Sequence, residues 1–329
     1  MPTDAEEARR AKRRRKKKRP PNKAAQYAVY LAVKGLATVF QAMPIEVSMT
    51  LASGFAELMY RLDGRHRVRS RGNVEASFPD TSAAFHHRLT RESFRLFPFL
   101  AIEFLLSPRY VRRNRFHRHI QFGPRMGEVL KLLIEQERGV LLVSGHYGNW
   151  EVLGYTLAEM GFGTSAVARP LDNPYLYELV LGIREKKGQR ILDKKGAIAE
   201  LPAVLEAKGA VGFMADQDAG KRGMFVDFFG RQASTYKSIG VMAMRYDVPI
   251  VIGFGRRVKD DLRFLTDVVD VIHPQDWKAQ NDPLRYITER YTRGIETSIR
   301  GEPGQYLWLH RRWKTRPEDV PARQRPATS

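Results

Sequence analysis

Apolar residues fall along this chain in two regimes. From residue 24 to residue 62 they run almost without a break: 24–43 holds one charge, Lys34, and 45–62 is interrupted by Glu46, Glu57 and Arg61. From Arg125 onward, helix-period segments take turns with short apolar runs of strand length. A helix over 126–136 precedes a strand over 140–143, and a helix opening at Trp150 and ending near Gly161 precedes a strand over 164–168. Helix 174–187 precedes strand 190–192, and helix 197–207 precedes strand 210–215. Strands over 249–254 and 262–271 and a helix over about 283–300 complete the series. Such alternation predicts an α/β fold with a mostly parallel central sheet flanked by helices. Between the regimes, 82–106 reads as a helix kinked at Pro98. Its last stretch, 97–106, is a mainly apolar run that suits core packing or the wall of an acyl-chain site.

Charge changes the meaning of the first regime. The chain carries a formal +20, and residues 1–23 supply +8 of it, with eleven Lys/Arg against three acids. Between Arg9 and Arg19 every residue except Ala11 is basic, a run that repels itself and is disordered in isolation. An anionic membrane attracts such a tail by roughly 1 kcal/mol per basic residue near the surface. Next to it, an apolar stretch with a central lysine is a marginal span, because that lysine costs roughly 2.5–3.5 kcal/mol to insert. The two apolar segments together read as a membrane-seated helical hairpin or interfacial anchor, with one true span or a pair of core helices as the alternatives. The layout expected is a polybasic tail over 1–23, a membrane-anchoring helical segment over 24–62, a catalytic domain over 63–318 and a C-terminal tail over 319–329. The absence of cysteine excludes disulfides, thiolate metal sites and cysteine nucleophiles.

Candidate chemistry gathers around 139–153. The turn formers Ser144 to Asn149 follow a strand, and Asn149 suits the N-cap of the helix beginning at Trp150. His146 and Glu151 would lie about 140° apart on one continuous helix. They can meet if His146 sits on the turn, which Gly145 and Gly148 allow to bend back. A carboxylate bonded to one imidazole nitrogen leaves the other free as a general base; a structural histidine at a strand end is the plainer alternative. Arg169 and Arg184 suit phosphate or carboxylate recognition if they face a cleft. Asp216 and Asp218 follow a strand and are able in principle to hold a divalent cation, or simply to cap or solvate. The loop at 228–231, ending in Arg231, either faces an acidic ligand or is a turn anchored by two aromatics. No Gly-x-Ser-x-Gly elbow surrounds Ser144, and neither a His-Glu-x-x-His motif nor a phosphate-binding P-loop occurs.

In order along the chain, 146–151 (HYGNWE), 169–174 (RPLDNP), 216–218 (DQD), 228–230 (FFG) and 305–314 (QYLWLHRRWK) resemble the late acyltransferases of lipid A biosynthesis, of the lauroyl and myristoyl type. The related bacterial phosphatidylinositol mannoside acyltransferases share the pattern. The resemblance covers essentially the whole chain except the polybasic tail. It implies a glycerolipid acyltransferase-like fold and an enzyme on the cytoplasmic face of an inner membrane. It also implies that His146 and Glu151 fill the family's His-x4-Asp/Glu dyad, that Arg184 is its functional arginine, and that Asp216 or Asp218 is its functional acid.

The expected reaction is transfer of a fatty acyl group from a thioester, on acyl carrier protein or coenzyme A, to a hydroxyl of an anionic glycolipid acceptor. His146 acts as base, Glu151 orients it, and turn amides or Arg184 serve the oxyanion. Arg169, Arg184, Asp216, Asp218 and Arg231 are the candidate substrate-binding residues. No metal, further cofactor or nucleic acid is called for. A different glycolipid or aminolipid acceptor is the near alternative. A basic nucleic-acid-binding protein and a metal-dependent glycosyltransferase using Asp216 and Asp218 are the rivals from other classes.

Overall fold

The computed structural model describes residues 22–111, 114–135, 139–186, 188–193 and 197–321. The polybasic run and residues 322–329 of the C-terminal tail lie outside the described residues, as do Gln136 and Lys187 at the ends of two predicted helices.

Asn22 caps the first helix, α1 (Lys23–Ala42), its side chain accepting from the Ala24 and Ala25 amides. Pro44 separates α1 from α2 (Ile45–Leu62), and the Asp63 side chain accepts from the His66 amide to start α3 (Gly64–Ser77). Ser82 opens α4 (Ala83–Tyr110), which continues through both Pro98 and Pro108. These helices are anchored on the α/β part of the chain: Met49 and Ala52 of α2 share a core cluster with Phe99, Ile102 and Leu106 of α4, and with Val152 and Phe264 beyond. α2 is apolar on two sides. Ile45, Met49, Ala52 and Ala56 are buried, while Val47, Leu51, Phe55, Leu58 and Leu62 recur at helical spacing on the outside. Among the described residues no helix is long and apolar enough to cross a membrane, so the single-span alternative has no helix to rest on.

The α/β expectation is met by a seven-stranded sheet. Its strands are β1 (Ile120–Phe122), β2 (Val140–Ser144), β3 (Thr164–Ala168), β4 (Gln189–Asp193), β5 (Ala210–Met214), β8 (Ile250–Lys259) and β9 (Arg263–Ile272). Their spatial order is β1-β9-β8-β2-β5-β3-β4, parallel at every pairing except β8 with β9. The crossovers are α5 (Met126–Glu135), α6 (Trp150–Glu159), α7 (Pro174–Glu185), α8 (Ala197–Glu206) and α9 (Ser238–Tyr246), with α10 (Pro274–Lys278) and α11 (Pro283–Gly301) closing the chain's helices. The central strand β2 is buried along its whole length, as a parallel strand covered on both faces must be.

Several elements were not visible in the apolar pattern: helix α3 in the basic stretch after residue 63, helices α9 and α10, strand β1 and one hairpin. Strand β1 is three residues at the sheet edge, too short for a period. The 228–231 loop is the turn of a separate hairpin, β6 (Met224–Phe228) and β7 (Arg231–Thr235). Its turn residues Phe229 and Gly230 have φ of 57° and 70°, positive at both positions as a type I′ turn requires. Phe228 and Phe229 are buried in the main core, so the anchored-turn alternative describes this segment.

Candidate active site

Sheet register brings the site together. Ser144 at the end of β2 pairs with Met214 at the end of β5, and His146 and Asp216 each lie two residues beyond. They leave the sheet side by side at the carboxyl ends of parallel strands, where open α/β sheets bind their ligands. Asp216 holds the histidine twice: Oδ1 bonds the ring Nδ1 at 2.8 Å, and Oδ2 accepts the His146 amide at 2.9 Å. The Asp216 side chain is fully buried. Burial alone would raise its carboxyl, but the neighbouring imidazole and the hydrogen bonds it makes outweigh burial and hold it well below the usual carboxylate range.

The turn is pinned on three sides. Gly148 has φ of 58°, and a Cβ there would meet the Gly255 carbonyl at 2.3 Å, so only glycine fits between turn and β8. The Asn149 amide donates to the Gly255 carbonyl, the Gly148 amide to the Gln305 carbonyl, and the Leu307 amide back to the His146 carbonyl. As expected, Asn149 caps α6, its Oδ1 accepting from the Glu151 and Val152 amides. Its Nδ2 donates to Glu103 at 2.9 Å, and Arg257 pairs with the same buried carboxylate. Of the amides from His146 to Val152, that of Trp150 alone is left as a free donor among the described residues.

The partner that the sequence reading assigns to the histidine is replaced. Asp216 takes Nδ1, and Glu151 instead grips Arg184 with both oxygens, at 2.5 Å to Nη2 and 3.1 Å to Nε. The reason is geometric: Glu151 sits in the first turn of α6, facing α7, whereas Asp216 comes straight off the neighbouring strand. Burial works against the Arg184 charge, but Glu151 overcomes it and raises the guanidinium above its ordinary value.

His146, Glu151 and Arg184 line one cavity of about 890 Å³. Its walls are apolar, drawn from Phe97, Leu100 and Phe104 of α4, Val180 of α7, Leu201 of α8 and Phe213 of β5. Of the two alternatives for 97–106, the cavity wall applies to these α4 residues, while Phe99 and Ile102 on the other side pack in the core. Arg169 lies at the exposed rim, paired with Asp172 at 3.0 Å. Asp218 and Arg231 are not brought to the cavity. Asp218 accepts from the amide and hydroxyl of Thr315, which ties down the C-terminal segment. Arg231 donates to Ser77 Oγ at 2.8 Å and stacks on Trp313, and burial pushes its guanidinium down to about 10. The two aspartates therefore face different partners and do not form the shared cation site that their spacing allowed.

His310 joins the site unannounced. Its ring centroid stands 4.5 Å from that of His146. Its buried Nδ1 has no hydrogen-bond partner among the described residues. Burial, with the His146 charge adding and Asp216 opposing, pushes its imidazole down to about 4. His146, Asp216 and His310 offer ligand atoms within 4.8 Å of one another, a donor set that zinc accepts, although Asp216 is already engaged by His146.

A histidine held by a buried carboxylate and lining a mainly apolar cavity is an arrangement suited to general-base chemistry on a substrate with a hydrocarbon chain. The model of the bacterial lipid A biosynthesis acyltransferases matches residues 15–315, and the chain belongs to that family. It is therefore an acyltransferase. A lipid A biosynthesis lauroyltransferase of Escherichia coli K12 is 27% identical over 285 residues, which cover 85% of this chain and 90% of that protein. A lipid A biosynthesis acyltransferase of Haemophilus influenzae is 26% identical over 288 residues, 84% of this chain and 87% of its own. A lipid A biosynthesis palmitoleoyltransferase of E. coli K12 is 26% identical over 258 residues, 77% and 80% of the two chains.

Proposed function

We propose that this protein transfers a fatty acyl group from a thioester, on acyl carrier protein or coenzyme A, to a hydroxyl of a lipid A precursor. The observation that carries the reading is the Asp216–His146 pair opening into an apolar cavity of about 890 Å³. With Nδ1–H directed at Asp216, the imidazole keeps Nε2 as the base. Nε2 takes the proton of the acceptor hydroxyl as its oxygen bonds to the thioester carbonyl carbon. The tetrahedral oxyanion is met by the unengaged Trp150 amide and by Arg184, which Glu151 holds in place. Collapse breaks the carbon–sulfur bond, and the histidine returns its proton to the leaving thiolate. Asp216 fixes the tautomer and offsets the positive charge of the ring between the two transfers, a contribution of roughly 10²–10⁴-fold for general-base work. Glu151 thus acts through Arg184 and not through the histidine.

The acyl chain lies along the apolar wall of the cavity. The outward faces of α1 and α2 rest on a membrane surface, with the polybasic tail attracted to anionic headgroups, and the family resemblance favours the cytoplasmic face of an inner membrane. Another glycolipid or an aminolipid as acceptor would use the same machinery.

The experiment is the mass spectrum of membrane lipids from cells with the wild-type protein or His146→Ala as the sole copy. The variant is expected to yield a lipid lighter by one acyl group. Normal acylation by His146→Ala would overturn the mechanism.

A further inference from the structure

Beside the proton-transfer pair lies a group of arginines that the chemistry above leaves unused. Arg65 and Arg69 stand one turn apart on α3, and Arg311 directly follows His310. Helix α3 is clamped to that C-terminal segment: Asn73 Nδ2 donates to the Trp308 and His310 carbonyls at 2.8 and 2.9 Å, and Arg69 Nη1 donates to the Leu309 carbonyl at 3.4 Å. Arg69 is thereby held against the segment that carries Arg311 and His310, and the His310 ring meets that of His146 at 4.5 Å between centroids. None of the three lines the apolar cavity.

Asp63, which acts on Arg65 and Arg69, offsets their charges only in part. Burial first, and then the charges of Arg311 and Arg65, hold the Arg69 guanidinium below its ordinary value, with Asp63 opposing. Asp63 itself is engaged by His66 at 2.6 Å. Among the described residues, Arg65, Arg69 and Arg311 form no ion pair, whereas Arg71, Arg88, Arg91 and Arg95 on α3 and α4 all face carboxylates. Like charges collected in this way repel one another until an anion offsets them. A planar guanidinium matches the oxygens of a phosphate in bidentate fashion. The outer apolar face of α2 ends at Leu62, three residues before Arg65, so the patch begins where that face stops. A lipid whose chains lay against α2 would present its headgroup at this level.

We infer that Arg65, Arg69 and Arg311 form the docking site for a phosphate group on the acceptor glycolipid, holding its sugar so that the reacting hydroxyl reaches His146. This rests on the acyl-transfer reading above. The donor's chain occupies the cavity, and the acceptor's phosphate occupies the patch across His310.

The test uses the full-length protein in neutral detergent micelles, a thioester donor, and one acceptor glycolipid in phosphorylated and dephosphorylated forms. Arg65→Gln/Arg311→Gln changes the two exposed members and spares Arg69, which touches the backbone. The double variant is expected to lose at least about tenfold in kcat/KM on the phosphorylated acceptor, the worth of one charge-assisted hydrogen bond. On the dephosphorylated acceptor it should match wild type, and Arg65→Lys/Arg311→Lys should recover part of the loss. Equal losses on both acceptors, or no loss on either, would overturn the assignment. So would a loss confined to anionic vesicles, which would mean that the patch reads bilayer charge. Wild-type protein that acylates neither form would overturn the acyl-transfer reading and this assignment with it.

Discussion

At the scale of single residues, the decisive fact is which carboxylate holds His146. Asp216 is fully buried and bonded to both the ring and the backbone amide of the histidine, so its removal acts on the histidine directly. Asp216→Asn keeps the shape but not the charge. We predict a fall in kcat of roughly 10²–10⁴-fold with little change in donor KM, read from initial rates on purified enzyme; near-normal kcat would return the role to Glu151. His310 supplies a second prediction. Its imidazole is depressed by burial to about 4 from 6.5, so above pH 6.5 neither the folded nor the unfolded form is charged there. Between the two values the unfolded chain binds a proton that the folded one refuses, and stability falls as the pH drops. Between pH 7 and pH 5 this amounts to roughly 2 kcal/mol. Denaturant unfolding at the two pH values should show a smaller loss by that amount in His310→Asn, and an identical slope would place the ring in contact with water.

At the scale of elements, the turn before α6 depends on a helix distant in sequence. Glu103, in the third quarter of α4, accepts from Asn149 and Arg257 with its side chain wholly buried. It was the lone charge in an otherwise apolar run, and a lone charge at helical core spacing is a sign of a buried partner. The partner could not be named, because Arg257 lies 154 residues away. Glu103→Ala leaves Arg257 buried without a counter-charge. We predict a destabilisation of about 3–5 kcal/mol, measured by denaturant unfolding, and a loss under 1 kcal/mol would show that water replaces the carboxylate. The strands after β5 illustrate the opposite failure: the short hairpin β6–β7 carries no long apolar period, and its turn was legible only as aromatic punctuation.

At the scale of the whole molecule, α1 and α2 pack inward through one face and leave a second apolar face open. Leu36, Phe55 and Leu62 are 58%, 54% and 73% exposed, which a surface bathed only in water does not favour. A hydrocarbon interface would accept these side chains at about 25 cal/mol per Å² of apolar area removed from water. We predict that Leu36→Asp/Phe55→Asp lowers binding to anionic vesicles in a sedimentation assay at least tenfold while leaving the unfolding midpoint near that of wild type. Unchanged sedimentation would mean that these faces serve another partner.

The apolar and polar pattern by itself determined the alternating α/β order, the strand at β2 and the capped turn carrying His146, because these depend on neighbours within one turn or one strand. The block order 146–151, 169–174, 216–218, 228–230 and 305–314 was likewise enough to place the chain in its family. Pairings between elements were decided only in three dimensions. Register sets Ser144 against Met214, and from that single pairing Asp216 becomes the partner of His146 while Glu151 is released to Arg184. Asp218 and Arg231, equally plausible as ligands by their residue type, are spent on holding the C-terminal segment and α3. Hydrogen bonds reach about 3 Å, and which groups lie within that reach across 70 residues of chain is a property of packing, to which local sequence carries no pointer.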